Sequence, residues 1–427
     1  MIHRLIYKLG VAKRNPSLFP YFSFLQKSDK WSREKLAQHQ LQQLQKLIKF
    51  AYENSPYYTN VFNQIGLRPE DINSIKDLKR IPLVDKSVLI NHNEEIQSLY
   101  AFKSTHFVET SGTSGQVLHF YRNEEWDSCN RASIMRGYSW YSVNPWDRNG
   151  YFWGYNTDPS KRRKTEVLDW LQNRFRMFSY NENEIRKFTS KLKEATFISG
   201  YSSMIYEVAK LANKMGLSGS FNLKMVKGTS EKIYDSYQEE VQKAFGQKMI
   251  SEYGATEAGI IAFECPEGYM HINMENVILE EVDGEAVVTN LNSYSFPIIR
   301  YKIGDSIKLA PKNFRCTCGR EHDVLLEVLG RVGKRVEGKS NDYPSLTFYY
   351  VFKNLTFTKG ITLNYQAVQN EIGKIIIQIE QSSSEYESDV RRELDKYFKD
   401  DIDFEIRWGQ KLHTMNGKLK DFITTLN

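Results

Sequence analysis

The sequence predicts a multi-domain α/β protein with a helical N-terminal segment, a large α/β domain with mixed sheets and a small C-terminal α+β domain. Three observations support this prediction. The chain has 427 residues, of which 41% are hydrophobic and 13% aromatic, which is enough for sizeable cores. In its middle part, short β-branched and aromatic runs alternate with helical patterns. After Gly330 the pattern changes again.

The first hundred residues are expected to be mostly helical. Between Ser32 and Asn54, apolar residues recur at helical spacing after a serine suited to cap the first turn. From about residue 105 to 260, the predicted strands between helices are GYFWGY, ATFISGY, LKMVKG and KMISEYG. The run VILEEVDGEAVVTNL then predicts two antiparallel strands joined by a tight turn at Asp283 and Gly284.

The C-terminal part has its own pattern of strands and one helix. Its predicted strands are ITLNYQAVQ, KIIIQIEQ and DFEIRW, and its helix passes through Val390, Leu394 and Phe398. A segment of this size is within the range of a small domain. We therefore place a domain boundary between residues 1–329 and 330–427.

The charge and hydropathy of the chain limit its partners. The 58 basic and 52 acidic residues give a net charge of +6, spread along the chain, which suits anionic ligands such as nucleotides and gives no argument for nucleic acid. No run approaches the roughly 18 apolar residues that a membrane span requires. The N-terminal MIHRLIYKLGVAKR is too interrupted by charge for a signal peptide. We expect a cytoplasmic protein, with weak peripheral contact of this basic segment with a membrane left open.

Three cysteines and a histidine lie in two short runs. Cys265 precedes His271 by a few residues, and Cys316 and Cys318 flank a threonine in CTCGR. Thiolates and a neutral imidazole are the ligands that tetrahedral zinc prefers, and four of them close its coordination shell. The alternatives are buried apolar thiols or disulfides, although a cytoplasmic chain keeps its thiols reduced. The runs predict a structural Zn²⁺ site that pins the 260s to the 310s.

Four further runs carry the groups that phosphate and ribose need. They are VETSGTSGQ at 108–116, SEYGATEAG at 251–259, RYKIGDS at 300–306 and TMNGKLKD at 414–421. Each has a purely structural alternative: a flexible linker, a strand-to-helix turn, a plain turn and a hairpin tip, respectively. In RYKIGDS, Asp305 follows a glycine and is expected in a turn.

Together and in this order, the four runs resemble the core motifs of the adenylate-forming superfamily. The pattern is most similar to phenylacetate-CoA ligase and the related capsular polysaccharide biosynthesis proteins, over nearly the whole chain. TSGTSG resembles the phosphate-binding loop of that family, YGATE its adenine and Mg²⁺ motif, RYKIGD its ribose motif and GRVG its hinge. The resemblance implies that residues 1–329 form an adenylation domain and residues 330–427 a C-terminal lid.

The resemblance also implies a reaction and its residues. A carboxylate attacks the α-phosphate of ATP, which gives an acyl-adenylate and pyrophosphate. The implied catalytic residues are Lys418, Glu257 and Thr256, and Glu257 also holds Mg²⁺. Lys420 lies nearby, but only Lys418 follows a glycine as the motif requires. The implied ATP-binding and AMP-binding residues are Thr110, Ser111, Gly112, Thr113, Ser114, Gly115, Gly228, Thr229, Ser230, Glu231, Tyr253, Gly254, Asp305 and Arg331.

The sequence departs from the family pattern in the lid. Gly333 occupies the hinge position, where relatives usually have Asp or Lys, and the following RVEGKSNDYPSL differs from the run that shapes the thioester face in phenylacetate-CoA ligases. The second difference puts CoA as the acceptor in doubt.

Three functions are therefore considered. The first is an enzyme that activates a carboxylic or amino acid and passes it to a sugar or carrier in surface-polysaccharide assembly. The second is an aryl-acid CoA ligase, and the third is a non-catalytic nucleotide-binding protein stapled by zinc. The expected cofactors are ATP, Mg²⁺ and structural Zn²⁺, with CoA as one candidate acceptor. A homodimer is left open.

Overall fold

A computed structural model describes the chain at residues 2–110, 118–152, 159–177, 182–219, 221–231, 233, 235–331, 335–361, 363–412, 414–415, 418–419 and 421–426. The α-helices are α1 (Ile2–Arg14), α2 (Leu18–Ser28), α3 (Arg33–Asn54), α4 (Pro56–Gln64), α5 (Lys86–Asn91), α6 (Asn93–Ile96), α7 (Glu124–Trp140), α8 (Pro159–Leu171), α9 (Glu182–Leu192), α10 (Ser202–Lys214), α11 (Asp235–Phe245), α12 (Leu346–Lys359) and α13 (Glu387–Phe398). Short 3₁₀ helices lie at Pro69–Asp71, Ile75–Arg80 and Lys399–Asp401.

The strands divide into those of the N-terminal and middle parts and those after residue 329. The former are β1 (Thr105–Glu109), β2 (His119–Asn123), β3 (Asn149–Phe152), β4 (Arg174–Phe175), β5 (Phe197–Tyr201), β6 (Met225–Thr229), β7 (Met249–Ala255), β8 (Gly259–Glu264), β9 (Met270–Ile272), β10 (Val277–Val282), β11 (Glu285–Asn290), β12 (Tyr301–Leu309) and β13 (Val324–Arg331). The latter are β14 (Arg335–Glu337), β15 (Asp342–Pro344), β16 (Tyr365–Glu371), β17 (Lys374–Ile379), β18 (Asp403–Arg407), β19 (Thr414–Met415), β20 (Lys418–Leu419) and β21 (Phe422–Thr424).

The chain forms two compact units. One consists of Met1–Asp147, Leu171–Asn173 and Ser251–Val328, and the other of Arg148–Trp170, Arg174–Ile250 and Leu329–Asn427. The linear boundary between residues 329 and 330 stays a prediction. No helix of the described residues has the length and apolar character that a bilayer span requires.

The first unit is built on an antiparallel sheet whose strands follow the order β10-β11-β12-β13-β9-β8-β7. Helix α3 covers it with Leu44 and Ile48, which are completely buried in the same core as Ile261 and Val288. Ser32 caps α3 as expected, because its hydroxyl accepts a hydrogen bond from the Lys35 backbone N–H at 3.4 Å.

The predicted hairpin is confirmed. Val282 pairs with Glu285, so Asp283 and Gly284 form a two-residue turn between β10 and β11. Their φ angles are 53° and 76°, and a type I′ turn requires positive φ at both central positions.

The second unit holds the parallel strands β6-β5-β3-β4 and a separate sheet of order β18-β17-β16-β21. The predicted strands of the middle region correspond to β3, β5, β6 and β7. The C-terminal sheet buries Ile375 and Ile377 against Val390 and Leu394 of α13, which confirms the α+β character predicted for this part of the chain.

A buried ion pair connects helices and strand ends of the first unit. Arg136 of α7 lies 2.7 Å from the Glu275 carboxylate, and both side chains are completely enclosed. His322 lies 2.9 Å from the same carboxylate oxygen, and the Ser28 hydroxyl at the end of α2 also donates to it. The cluster therefore joins two helices to the segments that follow β9 and precede β13.

Burial alone would raise the pKa of Glu275, but Arg136 and His322 hold that pKa well below its usual range. An unfolded glutamate takes up its proton near pH 4.3, so below this pH the unfolded state binds more protons than the folded state. The stabilisation from Glu275 is therefore present above about pH 4.3 and is lost as the pH falls through lower values.

We expect Glu275→Gln to lower the free energy of unfolding by about 3 kcal/mol at pH 7, because the buried Arg136 would lose its nearest counter-charge, at 2.7 Å, and keep the more distant Asp29 carboxylate at 3.7 Å. Urea denaturation measures this quantity. The matched control is Glu53→Gln in the exposed pair with Lys49, where we expect a change of about 0.5 kcal/mol or less. The difference between wild type and Glu275→Gln should shrink at pH 3. A variant as stable as wild type at pH 7 would contradict this account.

Candidate functional site

The predicted adenine and Mg²⁺ motif lies where β7 ends and turns into β8. Tyr253 is buried in β7, and Glu257 is buried in the turn. Gly254 is required by packing, because an added Cβ would stand 2.5 Å from the carbonyl oxygen of Gly259. The structural alternative of a strand-to-helix turn is wrong, since β8 follows directly and pairs with β7.

Asp305 does not lie in a turn, so that expectation is wrong. It lies within β12, where Glu285 of β11 pairs with Ser306 but Val287 pairs with Lys302. The residues between these pairs form a bulge, and Gly304 within it has a φ of 83°. A bulge re-aims the side chains beside it, and here the Asp305 carboxylate meets the Tyr253 hydroxyl.

Two crossing hydrogen bonds join the YGATE and RYKIGD motifs. The Tyr253 hydroxyl donates to the Asp305 carboxylate at 3.0 Å. The Tyr301 hydroxyl donates to the Glu257 carboxylate at 3.2 Å. Each motif thus supplies one tyrosine and one carboxylate, and each tyrosine holds the carboxylate of the other motif.

The backbone of the turn is held by two buried side chains that the sequence argument missed. The Arg122 guanidinium donates to the Thr256 carbonyl oxygen. The Asn290 amide donates to the Glu257 and Ala258 carbonyl oxygens at 3.3 and 3.1 Å. Burial lowers the pKa of Arg122, and Asp127 and Glu257 oppose this shift. Thr256 and Glu257 are therefore fixed by groups far away in the sequence.

The predicted phosphate loop is described only at its ends. Its core residues Ser111, Gly112, Thr113, Ser114 and Gly115 lie outside the described residues. Thr110 is buried. Its backbone N–H donates to the Leu118 carbonyl oxygen at 2.9 Å, and its hydroxyl accepts a hydrogen bond from the Leu118 N–H at 3.0 Å. Lys86 donates to the Thr110 hydroxyl at 3.3 Å. The ends of the loop are thus joined to each other, with a lysine ammonium beside them.

The second unit contains the predicted GTSE residues. Gly228 and Thr229 end β6, and Ser230 has a φ of 66°. The Glu231 carboxylate accepts hydrogen bonds from the Ser203 backbone N–H at 2.8 Å and its hydroxyl at 3.1 Å. Glu231 therefore binds the N-terminal end of α10, and a role at the adenine base stays a prediction.

The predicted hinge and lid residues are described in part. The backbone of Arg331 ends β13, whereas Gly333 lies outside the described residues. The backbone of Lys418 begins β20 and pairs with Met415 of β19, and Leu419 pairs with Thr414 in the same antiparallel register. The side chains of Arg331 and Lys418 lie outside the description.

The four predicted zinc ligands come together in the first unit. The donor atoms of Cys265, His271, Cys316 and Cys318 all lie within 4.8 Å of one another. Two thiolates on one zinc ion at about 2.3 Å would be about 3.8 Å apart in tetrahedral geometry. The Cys265 and Cys316 sulfurs are 3.8 Å apart, and the Cys318 sulfur is 3.1 Å from Nε2 of His271. The donor set fits a closed tetrahedral site.

Two turns and a strand build this cluster. Gly268 donates its N–H to the Cys265 carbonyl at 2.9 Å, and Gly319 donates to the Cys316 carbonyl at 3.2 Å. His271 lies in β9 between Phe263 of β8 and Val324 of β13. Three adjacent strands therefore fix the position of the imidazole.

The pKa values of the cluster residues show what a cation must do. Burial raises the pKa of the Cys265 thiol and raises that of Cys316 to about 12. Burial opposes ionisation of Cys318 as well, but hydrogen bonds and charge from Arg320 lower the pKa of Cys318. Burial lowers the pKa of His271 to about 3, which keeps its imidazole neutral. The neutral imidazole of His271 can bind a cation directly. The thiols of Cys265 and Cys316 ionise at neutral pH only when a cation lies beside them.

A fourth cysteine, Cys129, lies outside the two runs and was not considered in the zinc prediction. It is buried in α7, where its thiol donates to the Asn276 side-chain oxygen at 2.8 Å. Burial raises its pKa. Cys129 is thus a packed thiol apart from the cluster.

Comparisons with known proteins give relatives and a shared fold, although no family model matches the chain. The chain is 21% identical over 411 residues to Protein CapK of Staphylococcus aureus, covering 90% of this chain and 88% of that protein. It is 24% identical over 327 residues to phenylacetate-coenzyme A ligase of Thermus thermophilus, covering 70% and 71%. The solved structure of 2-hydroxyisobutyryl-CoA ligase in its postadenylation state has a TM-score of 0.71 at 15% identity, covering 92% and 90%. The likeness confirms the predicted fold class.

We expect the purified protein to contain about one equivalent of zinc per chain, measured by atomic emission. Cys318→Ser should lose most of it, because serine offers no thiolate to the metal. Cys129→Ser is the matched control and should keep its zinc. Equal zinc content in both variants would contradict the assignment of ligands.

Proposed function

We propose that the chain belongs to the adenylate-forming superfamily, in the group of phenylacetate-CoA ligases and CapK-like proteins, and that it activates a carboxylic or amino acid with ATP and transfers the acyl group to an acceptor. One observation carries most of this proposal. The crossing bonds Tyr253–Asp305 and Tyr301–Glu257 hold two carboxylates of different motifs in defined positions. The non-catalytic alternative is not carried forward, since the relatives that cover most of the chain include ligases.

Glu257 is suited to hold Mg²⁺ next to the phosphates. Its buried carboxylate accepts one hydrogen bond from Tyr301 at a single oxygen, and an ionised carboxylate has about four acceptor positions. Mg²⁺ binds proteins through one or two carboxylates together with substrate phosphates, and it would neutralise their charge. The Arg122 contact fixes the Thr256 backbone, and we assign the Thr256 hydroxyl to the α-phosphate.

Asp305 and Tyr253 are assigned to the nucleoside part of ATP. The Asp305 carboxylate can accept hydrogen bonds from ribose hydroxyls while it keeps the one from Tyr253. The Tyr253 ring is held by the same bond, so its face is oriented before adenine stacks on it. Thr110 and the loop residues after it are assigned to the β- and γ-phosphates, with Lys86 as an additional positive charge beside Thr110.

Lys418 is assigned to the point where the acid and the α-phosphate meet. Both groups are anionic, so their approach needs a positive charge that is strongest in the transition state. A lysine ammonium supplies a compact charge there.

Two acceptors of the acyl group are considered: a sugar or carrier, and CoA. Transfer to a sugar or carrier in surface-polysaccharide assembly is supported by the extended similarity to CapK, by the family resemblance of the motifs and by the unusual run after Gly333. Transfer to CoA is supported by the similarity to phenylacetate-CoA ligases. We favour the sugar or carrier, since the CapK alignment covers 90% of the chain and the ligase alignment 70%.

The proposed function is tested by ATP–pyrophosphate exchange with a panel of aryl, fatty and amino acids. Exchange with one class identifies the acid, and no exchange with any acid would contradict an acid-activating enzyme. The acyl-adenylate formed is then offered CoA or amino-sugar nucleotides. Efficient thioester formation would favour the CoA ligase, and an acylated sugar the alternative.

We expect Lys418→Ala to lower the exchange rate by about 100-fold to 1,000-fold, while ATP binding measured by calorimetry changes little, because its charge acts mainly in the transition state. Lys420→Ala is the matched control and should exchange at nearly the wild-type rate. The assignment fails if Lys418→Ala exchanges normally or if Lys420→Ala shows the loss instead.

We expect Tyr301→Phe to raise the Mg²⁺ concentration for half-maximal exchange by about 10-fold or more, because a metal-binding carboxylate would lose the hydroxyl that orients it. Tyr100→Phe, at an exposed position, is the control and should leave the Mg²⁺ dependence unchanged. An unchanged Mg²⁺ dependence in Tyr301→Phe would argue against Glu257 as the Mg²⁺ ligand.

A further inference from the structure

Helix α1 packs on other elements of the first unit through the face that carries Tyr7 and Val11. Val11 is buried in a small cluster with Leu18 of α2 and Met135 of α7. Tyr7 lies against Trp146, with ring centroids 5.5 Å apart. These contacts attach the helix and define its inner face.

The opposite face of α1 is apolar and exposed. Ile2, Leu5 and Leu9 are 57%, 59% and 63% exposed. At 100° per residue these three lie within an arc of about 60°, and Val11 and Tyr7 lie about 160° from Leu9. A surface helix ordinarily turns its apolar face inward and its polar face to water. In α1 apolar residues also occupy the face that points away from the protein.

The charges of α1 are all positive. The helix contains Arg4, Lys8, Lys13 and Arg14 and no acidic residue. Arg14 lies 4.0 Å from Asp127, and Arg4 lies over the Trp146 ring at 5.4 Å. Lys8 and Lys13 are exposed and have no ion-pair partner within the described part of the chain.

The two unpaired lysines border the apolar face. On the helical wheel Lys13 lies about 20° from Ile2, and Lys8 lies about 60° from Leu5 on the other side. An apolar strip with one ammonium group on each side is suited to a surface that is apolar below and anionic at its edge. A bilayer with anionic headgroups has this arrangement.

We propose that the outer face of α1, formed by Ile2, Leu5 and Leu9 and bordered by Lys8 and Lys13, binds the surface of an anionic membrane. The helix would lie in the plane of the interface, with its leucines among the upper acyl chains and its lysines at the headgroups. Charge complementarity selects a membrane over a second copy of this chain, because two such helices would bring their unpaired lysines together. The proposal concerns the location of the protein and does not depend on its catalytic function.

The test is flotation of the full chain with vesicles of 30% phosphatidylglycerol and 70% phosphatidylcholine. We expect wild type to float with these vesicles and to bind pure phosphatidylcholine far more weakly. Lys8→Gln/Lys13→Gln should weaken partitioning about 25-fold, since each basic residue near the surface contributes about fivefold. Leu5→Gln/Leu9→Gln should weaken it roughly thirtyfold or more, because two exposed leucines would no longer leave water.

Matched controls exclude a general effect of charge or polarity. Ile372→Gln removes an apolar side chain that is 60% exposed elsewhere, and Lys243→Gln/Lys248→Gln removes two exposed lysines. Both should float like wild type. Circular dichroism and urea denaturation, compared with wild type, check that all variants are folded. Hydrogen exchange of wild type supplies a test without substitutions, since anionic vesicles should slow exchange in residues 2–14 but not in α13.

Three results would overturn the proposal. The first is wild type that does not float with anionic vesicles. The second is a leucine variant that floats as well as wild type. The third is a concentration-dependent dimer that the leucine variant abolishes while vesicle binding is absent, which would assign the face to a second copy of the chain.

Discussion

The buried pair of Arg136 and Glu275 is the interaction on which much of the first unit depends. It fixes α7 against the sheet, because Glu275 lies between β9 and β10 and its carboxylate has no exposed surface. Helix α7 in turn positions β8. Gly137 lies so close to the Phe263 ring that an added Cβ would be 2.5 Å from it, and Asn130 accepts a hydrogen bond from the Ile260 N–H at 2.8 Å. Strand β8 pairs with β7, which carries Tyr253. The ion pair of Arg136 and Glu275 therefore contributes to the position of Tyr253.

Helix α7 also contacts the surroundings of the cysteine cluster, through Trp140. The Trp140 indole N–H donates to Asp29 at 2.9 Å, and the Trp140 ring lies 6.1 Å from the His271 ring and 4.1 Å from the Arg320 guanidinium. Removing two charges from water is costly, and such a pair is weak evidence for net stability. What the pair does here is connect elements, because Arg136 of α7 forms ion pairs with the carboxylates of both Glu275 and Asp29.

Local patterns in the sequence predicted the features that depend on local chemistry. The turn at Asp283 and Gly284 follows from the φ angles that two adjacent residues can adopt, and the parallel strands of the second unit follow from short β-branched runs between helices. The cluster of Cys265, His271, Cys316 and Cys318 was predictable because closely spaced thiols are rare enough to be informative. The fourth member of the cluster, His271, had to be inferred from its neighbours.

Features that depend on long-range pairing were not predictable from one sequence. The bulge that turns Asp305 toward Tyr253 exists because β11 and β12 pair out of register, and IGDS alone resembles an ordinary turn. Arg122 reaches Thr256 across 134 positions, and nothing in YRNEE indicates that contact. Tyr301 lies inside the RYKIGD motif and Glu257 inside YGATE, but the hydrogen bond between them was not predictable from the two motifs.

The distance between the cysteine cluster and the Thr256–Glu257 turn favours a structural role for the cluster. Strand β8 begins at Gly259 beside the Thr256–Glu257 turn and ends at Glu264, directly before Cys265. A strand of this length extends about 20 Å, so a cation held by the cysteines is too far away to contact groups bound at the turn. It can still affect them, because a shift of one residue in the pairing of β8 with β7 would turn Tyr253 to the opposite face of the sheet. Tying Cys265 to Cys316 and Cys318 opposes that shift at one end of the strand, while the Asn130 contact opposes it at the other.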